Sequence, residues 1–363
     1  MTPRQGSVLL AAGGTGGHLF PAEALANALI ARGVTVDLVS DERAARYADR
    51  FPAKLHQITS GTVTGGGWLG KLKGALLLLK GTQESLGLLS RLKPAAVVGF
   101  GGYPTVPPVY AATMRGIPTV IHEANAVMGR ANRFVAPRVT RIATGFPLRS
   151  DAFAAKTVVT GNPVRPPVLE AAATPMPTLQ AGGALNLLVF GGSQGARIMS
   201  DIVPPALEKL TAGERARIRL VQQVREEDLA RVSETYARIG IDAEIAPFFK
   251  DLPSRIAAAQ LVVSRSGAST VAELAVIGRP SILVPLPGSL DQDQAANARV
   301  LADCGGATLQ LQAGFTPDWL ADALRKALAE PERLSAMATA ARSAGTPDAA
   351  DRLADLVIRT AGL

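Results

Sequence analysis

Short, almost continuously apolar runs alternate with amphipathic segments along the whole chain. Such runs predict strands buried on both faces, and the segments between them, such as 21–32 and 105–115, have the spacing of covering helices. The predicted strands are SVLLAA, VTVDLVS, AAVVGFGG, PTVIHE, RIATGF and TVVTGNP in the first half, and LNLLVFGGSQG, RIRLVQQV, AEIAPFF, LVVSRSG, PSILVPLP and GATLQL in the second. The pattern predicts an α/β protein with two Rossmann-like, doubly wound parallel sheets.

The regular pattern is interrupted near residues 163–186. Here GNPVRPPVLEAAATPMPTLQAGGALN is rich in Pro, Ala and Gly and has no clear period. A chain of 363 residues is also too long for one ordinary core. We therefore predict an N-terminal domain over residues 1–163 and a C-terminal domain over residues 164–344. The helical segment at about 345–363 is expected to pack back on the first domain.

Composition excludes several classes of protein. With 47% apolar and 19% charged residues, the chain is globular rather than disordered. The single cysteine, Cys304, excludes an internal disulfide and favours a cytosolic location. No stretch reaches the roughly 18 to 20 apolar residues that a membrane-spanning helix needs.

The excess positive charge lies entirely in the first half. Residues 1–165 contain 19 lysines and arginines against 8 acidic residues, whereas residues 166–363 contain 19 against 22. Such a half suits a nucleic acid, an anionic membrane or a polyanionic substrate. Aromatic residues are only 4%, and the sequence has no helix-turn-helix, zinc-finger or RNP-like motif. These features argue against nucleic acid as the partner.

Each predicted domain opens with an apolar strand that runs into a glycine-rich turn, VLLAAGGTGGH in the first and NLLVFGGSQGA in the second. Backbone N–H groups in such turns can approach an anion closely. Neither turn is a Walker A motif, and Leu19 stands where G-x-G-x-x-G needs its third glycine. Asp37, at roughly the distance of a ribose-binding acid, falls inside a strand, which argues against NAD. Two equivalent turns predict phosphate-binding loops on two sheets that face one cleft.

Several motifs that follow one another along the chain are, taken together, specific enough to indicate a family. They are GGTGGHLFPAEALA, GFGGYPTVPPVYAA, IHEANAVMGRANR, TGNPVR, FGGSQGAR, SRSGASTVAELAVIGRPSILVPLP and DQDQAANA. Together they resemble the bacterial peptidoglycan N-acetylglucosaminyltransferases that convert lipid I to lipid II. The resemblance implies a GT-B fold, UDP-GlcNAc as donor and undecaprenyl-pyrophosphoryl-MurNAc-pentapeptide (lipid I) as acceptor. It also implies inversion at the anomeric carbon without a cofactor, peripherally at the cytoplasmic face of the inner membrane.

The resemblance also implies a donor site. By this resemblance, Glu273 binds the uridine ribose, Phe248 packs on the uracil, and Arg165 adds a charge at the diphosphate. Each has a structural alternative: Glu273 as an exposed helical residue, Phe248 as core, and Arg165 as a surface charge. The full donor set is Asn125, Arg165, Ser193, Gln194, Phe248, Phe249, Gly267, Ala268, Ser269, Thr270, Glu273 and Gln294.

The acceptor side is expected in the first domain, where the resemblance implicates Thr15, Gly16, Gly17, Tyr103 and Asn125. His18 is the general base that we favour, because a neutral imidazole near pH 7 can take a proton. Glu123 is the rival base. The structural alternative for His18 is a residue at a helix start that bonds the backbone, and His122 is expected to be a structural neighbour.

Three positions depart from the family pattern. Ala124 stands where the family often has Gln, which puts one acceptor contact in doubt. Ser269 replaces a common leucine. Asp293 precedes Gln294 where His or Gln is usual, which puts a second amide contact to the sugar in doubt. The resulting DQD formally matches a D-x-D metal signature. We expect no metal there, because GT-B enzymes stabilise the leaving group with helix dipoles.

The segment GGGWLGKLKGALLLLKG interleaves apolar and basic residues. Basic residues beside a Trp/Leu surface suit shallow insertion among anionic lipid headgroups. We therefore predict a membrane surface there, with a buried helix whose lysines project outwards as the alternative. The residues concerned are Trp68, Leu69, Lys71, Leu72, Lys73 and Lys80.

Rival functions share parts of these features. They are another GT-B glycolipid glycosyltransferase with a different acceptor, a UDP-GlcNAc 2-epimerase, and a non-enzymatic module that binds a nucleotide sugar at a membrane. Association with cell-wall synthesis complexes is a further expectation.

Overall fold

The computed structural model describes residues 6–13, 16–44, 51–61, 67–178, 180–192, 195–289 and 292–363, with the backbone alone at 67–69 and 71. The chain divides into two compact units. Unit 1 comprises Met1–Arg165 together with Pro347–Leu363, and unit 2 comprises Pro166–Thr346.

Unit 1 contains a seven-stranded parallel sheet in the order β3-β2-β1-β4-β5-β6-β7. Its strands are β1 (Ser7–Ala11), β2 (Thr35–Ser40), β3 (Lys54–Gln57), β4 (Ala96–Gly99), β5 (Thr119–Glu123), β6 (Arg141–Thr144) and β7 (Thr157–Val159). The six strands predicted for the first half are confirmed, and β3 at one edge was missed.

Helices cover both faces of this sheet because successive side chains of a strand point to opposite faces. The helices are α1 (Gly16–Ala31), α2 (Gly67–Leu92), α3 (Val106–Met114), α4 (Arg130–Val135) and α14 (Ala349–Ala361). Val8 and Leu10 pack with α1 and α14, whereas Leu9 and Ala11 pack with α2, α3 and α4.

The C-terminal helix α14 packs against α1 through a fully buried apolar face that includes Leu353 and Val357. Ion pairs add to this packing at the edge of the contact. The Arg32 guanidinium lies 2.8 Å from the Asp351 carboxylate and 3.4 Å from that of Asp355. The last segment of the chain is therefore part of unit 1.

Unit 2 contains a six-stranded parallel sheet in the order β10-β9-β8-β11-β12-β13, with the six strands predicted for the second half. They are β8 (Leu185–Phe190), β9 (Ile218–Gln223), β10 (Ala243–Ala246), β11 (Leu261–Ser264), β12 (Ser281–Leu283) and β13 (Ala307–Leu309). The helices are α5 (Pro166–Ala172), α6 (Arg197–Glu208), α7 (Ala212–Arg215), α8 (Leu229–Ile239), α9 (Leu252–Ala258), α10 (Ala268–Ile277), α11 (Asp293–Asp303), α12 (Pro317–Ala329) and α13 (Pro331–Ser343).

A buried arginine joins three helix ends of unit 2. The guanidinium of Arg279 donates to the carbonyl of Ala257 at the end of α9 and to that of Ile277 at the end of α10, with distances down to 2.6 and 2.8 Å. It also donates to Thr174, just beyond α5, at 3.0 Å. Carbonyls at a helix C-terminus lack intrahelical donors and carry the negative end of the dipole, so a cation suits this place. Burial lowers the pKa of Arg279 to about 10.

Replacing Arg279 by lysine should therefore destabilise unit 2. An ammonium group keeps the charge but cannot reach three helix ends at once, and some carbonyls lose their donor. We expect the free energy of unfolding to fall by about 2 kcal/mol, measured by urea denaturation followed by circular dichroism. Arg333→Lys, on the exposed side of α13, is the matched control, and an equal loss in both variants would contradict this role.

Candidate active site

The first glycine-rich turn of unit 1 leads directly into α1. The predicted contact Thr15 lies outside the described residues, and the helix begins at Gly16. Gly17 is exposed, and a Cβ atom built there would meet nothing within 4 Å. The first N–H groups of α1 have no intrahelical acceptor, so this open end can bind an anion.

His18, in the first turn of α1, lies in a slot made by glycines of two loops. A Cβ atom built on Gly13 would lie 3.1 Å from its Nδ1, one on Gly101 3.5 Å from its Cδ2, and one on Gly102 3.4 Å from its Cε1. Gly101 and Gly102 also have φ angles of 80° and 77°, which disfavour other residues. The imidazole thus lies between the turns after β1 and β4: it leaves little room for a side chain at Gly13, whereas Gly101 and Gly102 need glycine for their positive φ.

The surroundings of His18 keep its ring neutral. Burial, and secondarily the charge of Arg43, lower the pKa of His18 from 6.5 to about 4. A group with this pKa is almost wholly unprotonated at pH 7, so it can accept a proton there. The lowered pKa also makes it a weaker base than an ordinary histidine.

Glu123, at the end of β5, is buried with 3% of its surface exposed, and both of its carboxylate oxygens are engaged. Oε1 accepts from the backbone N–H and side-chain amide of Asn125, at 3.0 and 3.1 Å. Oε2 accepts from the N–H of Gly129 at 2.9 Å and from Nδ2 of Asn132 at 2.8 Å. The carboxylate therefore fixes the loop after β5 and orients Asn125.

Asn132 links this carboxylate to the histidine slot, and sequence reasoning missed it. Its Nδ2 also donates to the carbonyl of His122 at 3.1 Å and would lie 3.4 Å from a Cβ built on Gly101. The one sign in the sequence is that Asn132 is polar although it shares the buried side of the short helix α4 with Val135. Asn132 and the His18 ring both border Gly101, so His18, Glu123 and Asn125 lie in one part of unit 1.

The other two site candidates of this region have distinct environments. Tyr103 is half-buried and directly follows Gly102 in a 3₁₀ turn, at the edge of the histidine slot. His122 is buried, and its Nε2 donates to the carbonyl of Gly161 at 3.2 Å. Burial lowers the pKa of His122 to about 4 despite that hydrogen bond. Its contacts are those of a structural residue.

In unit 2 the helix α10 presents an open N-terminus. Gly267 is its N-cap residue, and a Cβ atom built there would meet nothing within 4 Å. Ala268, Ser269 and Thr270 form the half-buried first turn, and Glu273 is half-buried further along. The structure thus brings five of the predicted donor residues together on one helix whose positive end is accessible to an anion.

The loop before α10 is held by buried polar contacts. Arg265 donates to the carbonyls of Val284 and Pro285 at 3.1 and 3.0 Å, and to Oε1 of Gln312 at 2.7 Å. Burial lowers the pKa of Arg265, but a guanidinium stays charged at neutral pH. Sequence reasoning missed this residue, because an arginine inside SRSG carries no sign that its side chain turns inward.

Gln294 lies next to this loop at the start of α11. Its backbone carbonyl accepts from the hydroxyl of Ser266 at 2.8 Å, and its Oε1 accepts from the N–H of Leu286 at 3.0 Å. Its side-chain oxygen thus secures a loop, and this contact orients the amide group.

The predicted uracil contacts differ in exposure. Phe248 is 61% exposed, which excludes the core alternative and leaves its ring face accessible. Phe249 is buried, with the guanidinium of Arg255 over its ring at 4.3 Å. Ser193 and Gln194, in the second glycine-rich turn, lie outside the described residues.

Arg165 is the last residue of the N-terminal segment of unit 1. Its guanidinium carbon lies 4.2 Å from the centre of the Phe20 ring. Among the described residues no group of three His, Cys, Asp or Glu side chains could hold a metal ion. Asp291 of the DQD sequence lies outside them.

One face of α2 exposes large apolar side chains. Leu72, Leu76 and Leu79 are 51%, 58% and 67% exposed, and their spacing places them on one stripe of the helix. Lys73 and Lys80 are exposed along one flank of this leucine stripe. The side chains of Trp68, Leu69 and Lys71 lie outside the described part of the chain. None of the described helices is both long and apolar enough to cross a membrane.

Comparison with known proteins matches both halves of the chain. Residues 8–144 match the glycosyltransferase family 28 N-terminal domain, and residues 186–353 match the glycosyltransferase family 28 C-terminal domain. A protein of Rhodopseudomonas palustris (strain HaA2) is 59% identical over 360 residues, 98% of each chain. It is named UDP-N-acetylglucosamine--N-acetylmuramyl-(pentapeptide) pyrophosphoryl-undecaprenol N-acetylglucosamine transferase.

Solved structures agree with this match. The crystal structure of Acinetobacter baumannii MurG is similar with a TM-score of 0.80 and 31% identity, covering 98% of this chain and 99% of that one. A putative UDP-N-acetylglucosamine 2-epimerase from Listeria monocytogenes has a TM-score of 0.71 over 98% of this chain and 96% of its own. At 16% identity, that second likeness concerns the fold alone.

Proposed function

The chain belongs to the family of UDP-N-acetylglucosamine--N-acetylmuramyl-(pentapeptide) pyrophosphoryl-undecaprenol N-acetylglucosamine transferases, and from this premise we propose that it converts lipid I to lipid II. It is a hexosyltransferase that moves GlcNAc from UDP-GlcNAc to the 4-hydroxyl of MurNAc with inversion. The observation that carries this function is 59% identity along 98% of both chains. An epimerase is not favoured, because the likeness to one is limited to the fold.

The donor site that we propose is the open end of α10. The departing UDP gains negative charge on its diphosphate, and a helix N-terminus stabilises such charge without reorganisation. Glu273 accepts hydrogen bonds from the ribose hydroxyls, and exposed Phe248 stacks on the uracil. Ser193 and Gln194 are proposed as further diphosphate contacts.

The acceptor site that we propose is the cluster around α1 of unit 1. His18 takes the proton of the 4-hydroxyl as that oxygen attacks C1 of GlcNAc. The N–H groups at Thr15, Gly16 and Gly17 bind the acceptor's pyrophosphate, and Tyr103 and Asn125 position its sugar. Glu123 acts through Asn125 and the loop, because its oxygens already accept four hydrogen bonds.

The experiment that tests this function uses labelled UDP-GlcNAc with and without a lipid I analogue. Formation of the labelled disaccharide only when both are present supports the transferase. Production of ManNAc, or release of UDP without acceptor, would instead support an epimerase, and binding without turnover would support a binding module. A short-chain glycolipid without MurNAc, used as a second acceptor, separates the rival glycolipid transferase.

We also propose that the leucine stripe of α2 docks on the anionic inner membrane, at its cytoplasmic face. Apolar side chains beside lysines favour the interface between headgroups and acyl chains. The net positive charge of residues 1–165, with 19 basic against 8 acidic residues, acts in the same direction. This location brings the enzyme to its lipid-linked acceptor, and cell-wall synthesis complexes remain proposed partners there.

Introducing charge into the stripe should weaken this docking. We expect the double variant Leu76→Glu/Leu79→Glu to bind anionic liposomes roughly tenfold more weakly in a sedimentation assay, from lost apolar burial and added repulsion. Its turnover of a soluble acceptor analogue should stay within about twofold of the original. The control is Leu169→Glu/Leu311→Glu, two exposed leucines of unit 2, and equal liposome binding by both double variants would contradict the proposed surface.

A further inference from the structure

The ring of Phe20 lies between the start of its own helix, α1, and Arg165, which is distant in the sequence. Phe20 lies one turn into α1, and its ring turns back towards the helix N-terminus, as helical side chains do. A Cβ atom built on Gly16 would lie only 2.9 Å from its Cε2 and 3.2 Å from its Cζ. The edge of the ring thus lies against Gly16, which lacks a side chain where the ring needs that space, while the neighbouring Gly17 stays exposed.

The Phe20 ring also contacts a cation. The guanidinium carbon of Arg165 lies 4.2 Å from the centre of the Phe20 ring, well inside the roughly 6 Å range of a cation–π contact. Both residues belong to unit 1 although 145 positions separate them in the sequence. The ring therefore holds a full positive charge close to the turn that binds an anion in the proposed function.

An aromatic ring can order an arginine side chain before it binds a ligand. The long arginine side chain has many rotamers, and its planar guanidinium can lie on an aromatic face while its N–H groups still donate at their edges. A guanidinium ordered in this way loses less conformational freedom when it binds a phosphate than an unsupported one. A cation held near the open start of α1 also adds to the positive end of the helix dipole.

We propose that Phe20 is a positioning residue: its ring holds the guanidinium of Arg165 beside the start of α1, where that cation binds the pyrophosphate group of a substrate. This inference rests on the proposed function, in which donor and acceptor each carry a pyrophosphate. The donor's diphosphate and the acceptor's lipid pyrophosphate share this chemistry, and kinetics with each substrate varied in turn separates them.

The test is a double-variant cycle on the full chain with Phe20→Met, Arg165→Met and the two combined. Methionine fills a volume similar to that of phenylalanine but has no aromatic face. We expect Phe20→Met to raise the KM of one substrate about five- to tenfold, with kcat changed less than about twofold. In the Arg165→Met background, Phe20→Met should change that KM no further, because the cation on which it acts is gone.

Two further variants separate positioning from packing. Phe20→Tyr keeps the aromatic face and should restore the KM to within about twofold of the original. Phe153→Met removes the ring of another cation–π pair, that with the ammonium of Lys156 at 5.3 Å, and should change neither KM. Thermal unfolding of each variant shows whether the fold is kept.

The substrate whose KM rises identifies the pyrophosphate: UDP-GlcNAc for the donor, the lipid I analogue for the acceptor. Additive effects of Phe20→Met and Arg165→Met on that KM, or a Phe20→Met effect confined to the unfolding temperature, would overturn the role of Phe20. An equal rise of that KM in Phe20→Met and Phe20→Tyr would also overturn it. If the original protein itself shows no transfer with both substrates, the proposed function fails instead.

Discussion

Replacing His18 by alanine is expected to lower kcat by roughly two to four orders of magnitude, which is the usual contribution of a general base. The KM for UDP-GlcNAc should change less than about threefold, because the histidine lies in the unit that we assign to the acceptor. Initial rates with each substrate varied in turn measure both quantities.

The pH dependence of kcat/KM gives an independent check on the same residue. Since the pKa of His18 is about 4 in the folded protein, protonation should reduce kcat/KM only as the pH falls towards 4, not through 6.5. Unfolded, the same ring titrates near 6.5. The unfolded chain therefore binds more protons between these values, and the free energy of unfolding should decrease as the pH falls from about 6.5 to 4.

The control for His18 is His56→Ala on the edge strand β3. The Nε2 of His56 pairs with Asp37 at 2.8 Å, and neither residue belongs to the cluster around α1. Its kcat should stay within about twofold of the original. A large rise in the KM for UDP-GlcNAc in His18→Ala, with kcat preserved, would place the GGTGGH turn on the donor side and contradict our assignment.

The apolar pattern predicted nearly all of the sheet architecture, because a parallel strand covered on both faces must be apolar on both. The exception, β3, has the sequence KLHQ at the sheet edge, where its residues are exposed or half-buried. Its pairing is partly polar, through His56 and Asp37. The sequence KLHQ contains no run of hydrophobic residues from which a strand could be predicted.

The candidate site could be predicted in part, for a similar reason. Glycine-rich turns after apolar strands predict anion sites, and a histidine at the end of one is visible in the sequence. The hydrogen bonds of Glu123 are not visible, since they depend on where Asn132 lies after folding. For α2, sequence alone left open a buried helix or a membrane surface, and the exposure of Leu76 and Leu79 is a result of packing.

Exchanging Glu123 for glutamine should damage both stability and turnover. The carboxylate accepts two N–H bonds at each oxygen, including Asn125 at one and Asn132 at the other. A glutamine of the same shape replaces one oxygen by NH₂, which then faces two donors in a buried place. We expect the free energy of unfolding to fall by about 2–4 kcal/mol, and kcat/KM to fall roughly a hundredfold as the loop loses its geometry.

Two further variants test whether this loss comes from the loop. Glu42→Gln changes an exposed carboxylate of the same unit and should alter neither quantity. Asn132→Ala keeps the Glu123 carboxylate but removes one of its four donors, so it should reproduce part of the effect, about 1 kcal/mol in stability and about tenfold in kcat/KM.

The same experiment decides between the two candidate bases. If Glu123 were the general base, its conversion to glutamine would lower kcat far more than the loss of unfolding free energy accounts for, and Asn132→Ala, which keeps the carboxylate, would lower kcat little. If the carboxylate instead organises the loop, turnover and the free energy of unfolding fall together in both Glu123→Gln and Asn132→Ala. Because its oxygens already accept bonds from Asn125, Gly129 and Asn132, the second outcome is expected, and the proton of the acceptor hydroxyl then goes to His18.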